Sequence, residues 1–170
     1  MPRHLQDEIR QTRPFRNAAQ EASLALLRTT DLLRRVATAR LTPHDLTLQQ
    51  YNVLRILRGA QGPLPTLEIA ERMLEQAPGI TRLIDRLEAK QLVARVPCKT
   101  DRRQVHCHIT PTGLELLSRL DPDIDQADGL LERVLTPDQL QQLVALLAVA
   151  REALSADLTA LTETTSDAQP

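Results

Sequence analysis

The 170 residues suit one domain, with room for extra helices at its ends, and an apolar share of 42% is enough to form a core. Phe15 and Tyr51 are the only aromatic residues, so the core must be Leu, Ile, Val and Ala, a helix-favouring mix, and the scarcity of aromatic platforms argues against single-strand nucleic-acid binding by base stacking. A net charge of −1 favours no partner by itself, and neither a membrane span nor a signal-peptide core is present, so a soluble, cytoplasmic protein with no membrane association is expected.

Residues 1–13 are polar and are expected to fray. From Pro14 to about Arg40, Ala18, Ala22, Leu26, Leu27, Leu33 and Val36 recur at helical spacing and predict one long amphipathic helix. Pro43 ends it. Thr47 and Gln50 form a capping-box pattern for a second helix carrying Tyr51, Leu54 and Leu57, which stops in the Gly59–Pro65 loop. Thr66 is read as the cap of a short third helix, Leu67 to about Leu74. A fourth helix is entered by Pro78 in its first turn and runs through Ile80, Leu83, Ile84 and Leu87. Two short helices around a tight turn match a helix-turn-helix.

After Lys90 the period changes from helical to alternating. Leu92–Val96 and Val105–Ile109 read as two strands, and the polar, basic Pro97–Gln104 as the tip of a hairpin. Helix, helix-turn-helix and hairpin in that order make a winged helix. Thr110 and Pro111 restart a helix, which Asp121–Pro122 either kinks or interrupts before Ile124–Val134. Thr136, Pro137 and Gln139 begin the last helix, expected to reach about Leu161.

Splitting the charge exposes an asymmetry. Residues 1–110 carry 18 Lys and Arg against 11 Asp and Glu, whereas 111–170 carry 3 against 11. The asymmetry suggests a basic working surface joined to an acidic segment that faces elsewhere, with chance clustering of solvated charge as the plain alternative. On the fourth helix, Arg82, Asp85, Arg86 and Ala89 lie opposite the apolar stripe, with Thr81 at its edge. Arginine can fork to guanine O6 and N7 in the major groove, and threonine can reach a base edge or a phosphate. Pro78 and Gly79 keep bulk low at the helix start. An ordinary surface helix with an Arg82–Asp85 pair is the plain alternative. At the hairpin tip, Lys99, Arg102 and Arg103 surround Asp101, and an extended arginine there can enter a narrow minor groove.

Three stretches carry a likeness to one family: Leu46–Leu57; Pro78–Val93; and Asp101–Val105 leading into Ile109-Thr-Pro-Thr-Gly113. In order and spacing the chain resembles the MarR family from roughly residue 20 to 155. The resemblance implies a homodimer whose terminal helices interlock, and a pseudo-palindromic double-stranded operator. It implies that Arg103 is the minor-groove arginine with Asp101 as its buttress, and that Arg102 pairs internally or contacts phosphate. Thr81, Arg82 and Arg86 match recognition-helix positions, and Thr66 is a candidate phosphate ligand. The expected layout is a flexible 1–13, a single domain at 14–161 and a disordered tail at 162–170. Within the domain, 47–110 is the winged core, and 14–40 and 111–161 supply the dimerisation helices. One departure is Gln91, where the family commonly has Gly because the site tends to be left-handed.

The family is often released from DNA by small phenolic or aromatic ligands, or by thiol oxidation. Phe15 and Tyr51 are the aromatic residues available to line an effector site, and a repressor is therefore expected. Cys98, beside Lys99, is a candidate redox thiol; Cys107, on the face of Val105 and Ile109, is expected to be buried and inert. His106, His108 and Cys98 fall short of a four-ligand zinc site, and the two histidines are expected to face solvent. No catalytic motif is found, so neither an enzyme nor a cofactor is expected. The remaining competitor is a winged helix that binds protein rather than DNA.

Overall fold

The computed structural model describes residues 4–76, 78–97 and 105–166, in two compact units, Met1–Ile124 and Asp125–Pro170. The first holds α1 (Leu5–Glu8), α2 (Ala18–Leu41), a 3₁₀ turn (Thr42–His44), α3 (Leu48–Gly59), β1 (Leu64–Pro65) and α4 (Thr66–Glu71). It continues through α5 (Ile80–Ala89), β2 (Val93–Pro97) and β3 (Val105–Ile109) into α6 (Pro111–Glu132). The second holds the end of α6 and α7 (Pro137–Ser166).

Local chemistry sets the helix starts. Asn17 accepts from the Gln20 amide at 2.9 Å while Gln20 accepts from the Arg16 amide at 2.8 Å, so α2 begins at Ala18 and not at Pro14. The segment before it is not uniformly frayed: Leu5–Glu8 form a helical turn, and Glu8 lies 3.7 Å from Arg28 on α2. The expected capping box opens α3, with Thr47 and Gln50 exchanging bonds of 3.2 and 3.1 Å.

The sheet has a strand the alternation pattern did not show. β1 pairs antiparallel with β3, giving the order β1-β3-β2, with Leu64 opposite Cys107 and Arg95 opposite Cys107 on the other side. Pro65 fits because β1 is an edge strand, where a missing amide costs nothing to the ladder. β2 begins at Val93, one residue after the expected start, because Leu92 completes the end of α5.

Beneath the sheet lies one apolar core. Leu41, Val53, Leu54, Ile69, Ile84, Leu87, Leu117 and Leu120 are fully enclosed, joined by Val93 and Cys107. Each such aliphatic side chain contributes about 1.5–3 kcal/mol by leaving water. Gly113 lets α6 approach this core: a Cβ there would meet the Leu92 carbonyl at 2.4 Å and Ile109 Cγ1 at 2.7 Å. That close approach is the physical content of the Thr-Pro-Thr-Gly run.

Pro122 does not interrupt α6, which is helical on both sides of it. Arg58 donates to both Asp121 carboxylate oxygens at 2.9 Å, and Arg40 donates to the Asp123 carbonyl at 2.8 Å, so the turn around the proline is tied to α3 and α2. A further tie runs from Arg34 on α2 to Glu75, in the turn after α4, at 3.1 Å.

In the second unit, Thr136 and Gln139 cap α7 reciprocally at 3.3 and 2.9 Å. The helix runs past Leu161 to Ser166, so residues 162–166 are helical and not the expected disordered tail. Thr159, Thr162 and Thr164 turn their hydroxyls back onto carbonyls of the preceding turn, so each polar group is satisfied within the helix. Val144, Leu146, Val149, Leu154, Leu158 and Leu161 are all more than half exposed.

Candidate nucleic-acid interface

Helix α5 is positioned from both ends. At its start Gly79 adopts φ +88°, a left-handed turn that glycine enters without steric penalty. Pro78 therefore lies in the preceding turn and not in the helix's first turn. At its end Gln91 sits at φ +59°, its amide bonding to the Glu88 carbonyl at 2.8 Å, while the Leu92 amide reaches the Leu87 carbonyl at 3.0 Å. This pair of bonds is a Schellman cap, and Leu87 and Leu92 are both buried behind it. The left-handed site expected to favour glycine is thus present, with Gln bearing the strain. Thr110 secures the same corner: its hydroxyl donates to the Gln91 carbonyl at 2.7 Å and accepts from the Gly113 amide at 3.1 Å.

Held in this way, α5 buries Ile84 and Leu87 and half-buries Ile80 and Leu83. Thr81, Arg82, Asp85, Arg86 and Ala89 are exposed, as the helical wheel required. Neither Arg82 nor Arg86 has an ion-pair partner among the described residues. The Arg82–Asp85 pair raised as the plain alternative is absent there, because Asp85 is taken by Arg95 of β2 at 2.6 Å. Arg95 also pairs with Glu88 and donates to the Thr81 carbonyl at 3.5 Å. The sequence reading missed this residue, since its two acid partners lie 7 and 10 positions away, on another element. Burial works against the Arg95 charge, yet the bonds and charges of Asp85 and Glu88 outweigh it and leave the guanidinium pKa raised.

Thr66 does not cap α4. It is the first helical residue, after Pro65, and its hydroxyl lies 3.9 Å from Cys107 Sγ. Strand pairing at Leu64–Pro65 fixes that geometry, and α4 ends at Glu71 instead of about Leu74. Cys107 is fully buried, and burial pushes its thiol pKa up against the opposing pull of Thr66 and Arg95. Lys99, Asp101, Arg102 and Arg103, together with Cys98, lie outside the described residues.

The histidines do not stand clear in solvent. His106 and His108 are half-buried and line a cleft of about 820 Å³ between the end of α3, the following loop and the outer face of β2 and β3, with Leu57, Pro63, Val96 and Leu114. His108 Nδ1 is enclosed with no hydrogen-bond partner among the described residues. Phe15 and Tyr51 are not among the residues lining this cleft; both are half-buried, Tyr51 against the core on α3. Among the described residues no cluster of three potential metal ligands occurs, and no helix is long and apolar enough to cross a membrane.

Comparison with known proteins agrees with this geometry. The family model described as MarR family matches residues 46–105. The homoprotocatechuate degradative operon repressor of Escherichia coli is 32% identical over 105 residues, 61% of this chain and 70% of that protein. The structure of a MarR transcription factor from Planctomyces limnophilus is similar with a TM-score of 0.61 at 37% identity, over 80% of this chain and 99% of that one. BpsR of Bordetella bronchiseptica, solved in a study of the regulation of its DNA binding by 6-hydroxynicotinic acid, is similar with a TM-score of 0.67 at 26% identity, over 77% and 98% of the two chains. With its buried-backed helix α5, its paired wing strands and these relatives, the chain belongs to the MarR family and is a winged helix-turn-helix transcription regulator.

Proposed function

We propose that the protein binds a pseudo-palindromic operator in double-stranded DNA as a homodimer, and represses until a small organic ligand releases it. The observation that carries this reading is the face of α5, where Thr81, Arg82 and Arg86 are exposed over a fully buried Ile84 and Leu87. A helix backed so firmly can enter the major groove without losing its packing, and its arginines, unpaired among the described residues, can fork to guanine or bind phosphate. Gly79 at its start, Thr66 nearby and the wing residues Lys99, Asp101, Arg102 and Arg103 complete the proposed surface. The exposed leucines and valines of α7 supply the apolar face for a second copy. Repression and ligand release follow the E. coli relative, a degradative operon repressor, and BpsR, whose DNA binding is regulated by an aromatic acid. The effector is proposed to contact Phe15 and Tyr51, and the cleft on the outer face of the wing strands has the size and apolar walls of a second seat.

Selection of duplexes from random sequence, followed by titration against salt, tests the reading. A protein that closes several phosphate contacts loses affinity steeply as salt rises, whereas a module that binds only protein shows no such slope. Arg86→Ala is expected to relax discrimination at one base-pair position by about 1–3 kcal/mol. Uniformly weaker binding with the sequence preference intact would instead place Arg86 on the backbone.

A further inference from the structure

Helix α5 carries two carboxylates, Asp85 and Glu88, on the element proposed to enter a polyanion. Asp85 is exposed and sits one residue from Arg86. Left unpaired, the two acids would repel phosphate and offset the attraction of Arg82 and Arg86 within a Debye length of about 8–10 Å. Arg95 meets both. One guanidinium arm pairs with Glu88, and the other lies 2.6 Å from Asp85 and 3.5 Å from the Thr81 carbonyl. Only a quarter of the Arg95 side chain is exposed, whereas Asp85 and Glu88 are 54% and 40% exposed. The cation is therefore held beneath the helix, on the second strand of the sheet, and the acids lean back toward it.

We infer that Arg95 is a positioning residue for DNA reading, which neutralises the two acids of α5 and fixes the helix to strand β2. Both effects come from one side chain because the planar guanidinium presents its donors in a rigid fork; lysine, a point charge, would satisfy one acid at a time. The fork spans three residues of α5, Thr81, Asp85 and Glu88, which lie near one line along the helix. Strand and helix thus move as a unit, and the base-contacting face keeps a set rotation relative to the wing. The masking half of this inference rests on the DNA-binding reading above; the fixing half does not.

The experiment compares wild type, Arg95→Met, Asp85→Asn/Glu88→Gln and the triple variant, by thermal unfolding and by binding to a duplex the wild type selects. In unfolding, Arg95→Met is expected to lower Tm, and neutralising the acids is expected to restore part of that loss. Strictly additive Tm changes across the four proteins would overturn the fixing role. In binding, Arg95→Met is expected to lose about tenfold or more at low salt, with a shallower salt slope, because two bare carboxylates per subunit cancel cationic contacts. The triple variant is expected to regain most of that affinity. The Asp85→Asn/Glu88→Gln variant, which keeps Arg95, is expected to bind at least as tightly as wild type. A triple variant that stays as weak as Arg95→Met, or an acid-free variant that binds more weakly than wild type, would overturn the masking role. A wild type that ignores duplex DNA would remove the DNA-binding reading and masking with it, while the unfolding comparison would still decide whether Arg95 fixes the helix.

Discussion

Helices α5 and α7 are both amphipathic in sequence, but their apolar faces meet different fates. In α5 the stripe Ile80, Leu83, Ile84 and Leu87 is covered by its own unit, Ile84 and Leu87 completely. In α7 Leu140, Leu143 and Leu147 at the head of the stripe are only half-buried, and Leu154 and Leu158 farther along it stay more than half exposed. A hydrophobic period reports that a face needs cover without naming what covers it. For α5 the cover is the winged core, and the helix can present its polar side to a ligand. For α7 the covering surface is proposed to be a second copy.

Charging the α7 stripe should break this contrast most. Leu154→Glu with Leu158→Glu is expected to leave the winged core folded but to yield a monomer in sedimentation, with operator affinity reduced by about a hundredfold or more as the second half-site is lost. A dimer that survives both charges would show that α7 does not carry the interface. Leu87→Ala attacks the other side of the comparison, opening a cavity under α5 at a cost of about 2–5 kcal/mol in chemical denaturation. Gly113→Ala should cost less, about 1–3 kcal/mol, since its methyl group would press on the Leu92 carbonyl and Ile109. Gln91→Gly is expected to do the reverse and stabilise by at most about 1 kcal/mol. It removes the left-handed strain of Gln91, and the greater freedom of glycine in the unfolded chain offsets part of the gain.

The contrast also explains what the sequence disclosed. The starts of α3 and α7 were legible to the residue: Thr47 with Gln50 and Thr136 with Gln139 both close as their spacing requires. The α5 stripe was legible because burial there follows the 3.6-residue period. Features made by pairing across distance were not. β1 is two residues long and contains Pro65, so it shows no alternation, and it exists only because β3 lies beside it. The same strand moved the start of α4 and turned Thr66 from a cap into a neighbour of Cys107. His106 and His108 alternate with Cys107 as a solvent-facing pair should, yet the end of α3 and the loop after it roof them over. Arg95 could not be singled out from the sequence because its partners are on α5. In the site itself, Thr81, Arg82 and Arg86 could be placed on the outer face from periodicity alone, whereas the treatment of Asp85 and Glu88 could not.

The two reciprocal caps carry a consequence for how the chain acquires its shape. Each joins a threonine to a glutamine only three positions on, so closing it sacrifices little chain entropy and waits for no distant contact. The beginnings of α3 and α7 therefore depend on their own few residues and not on packing against distant parts of the chain.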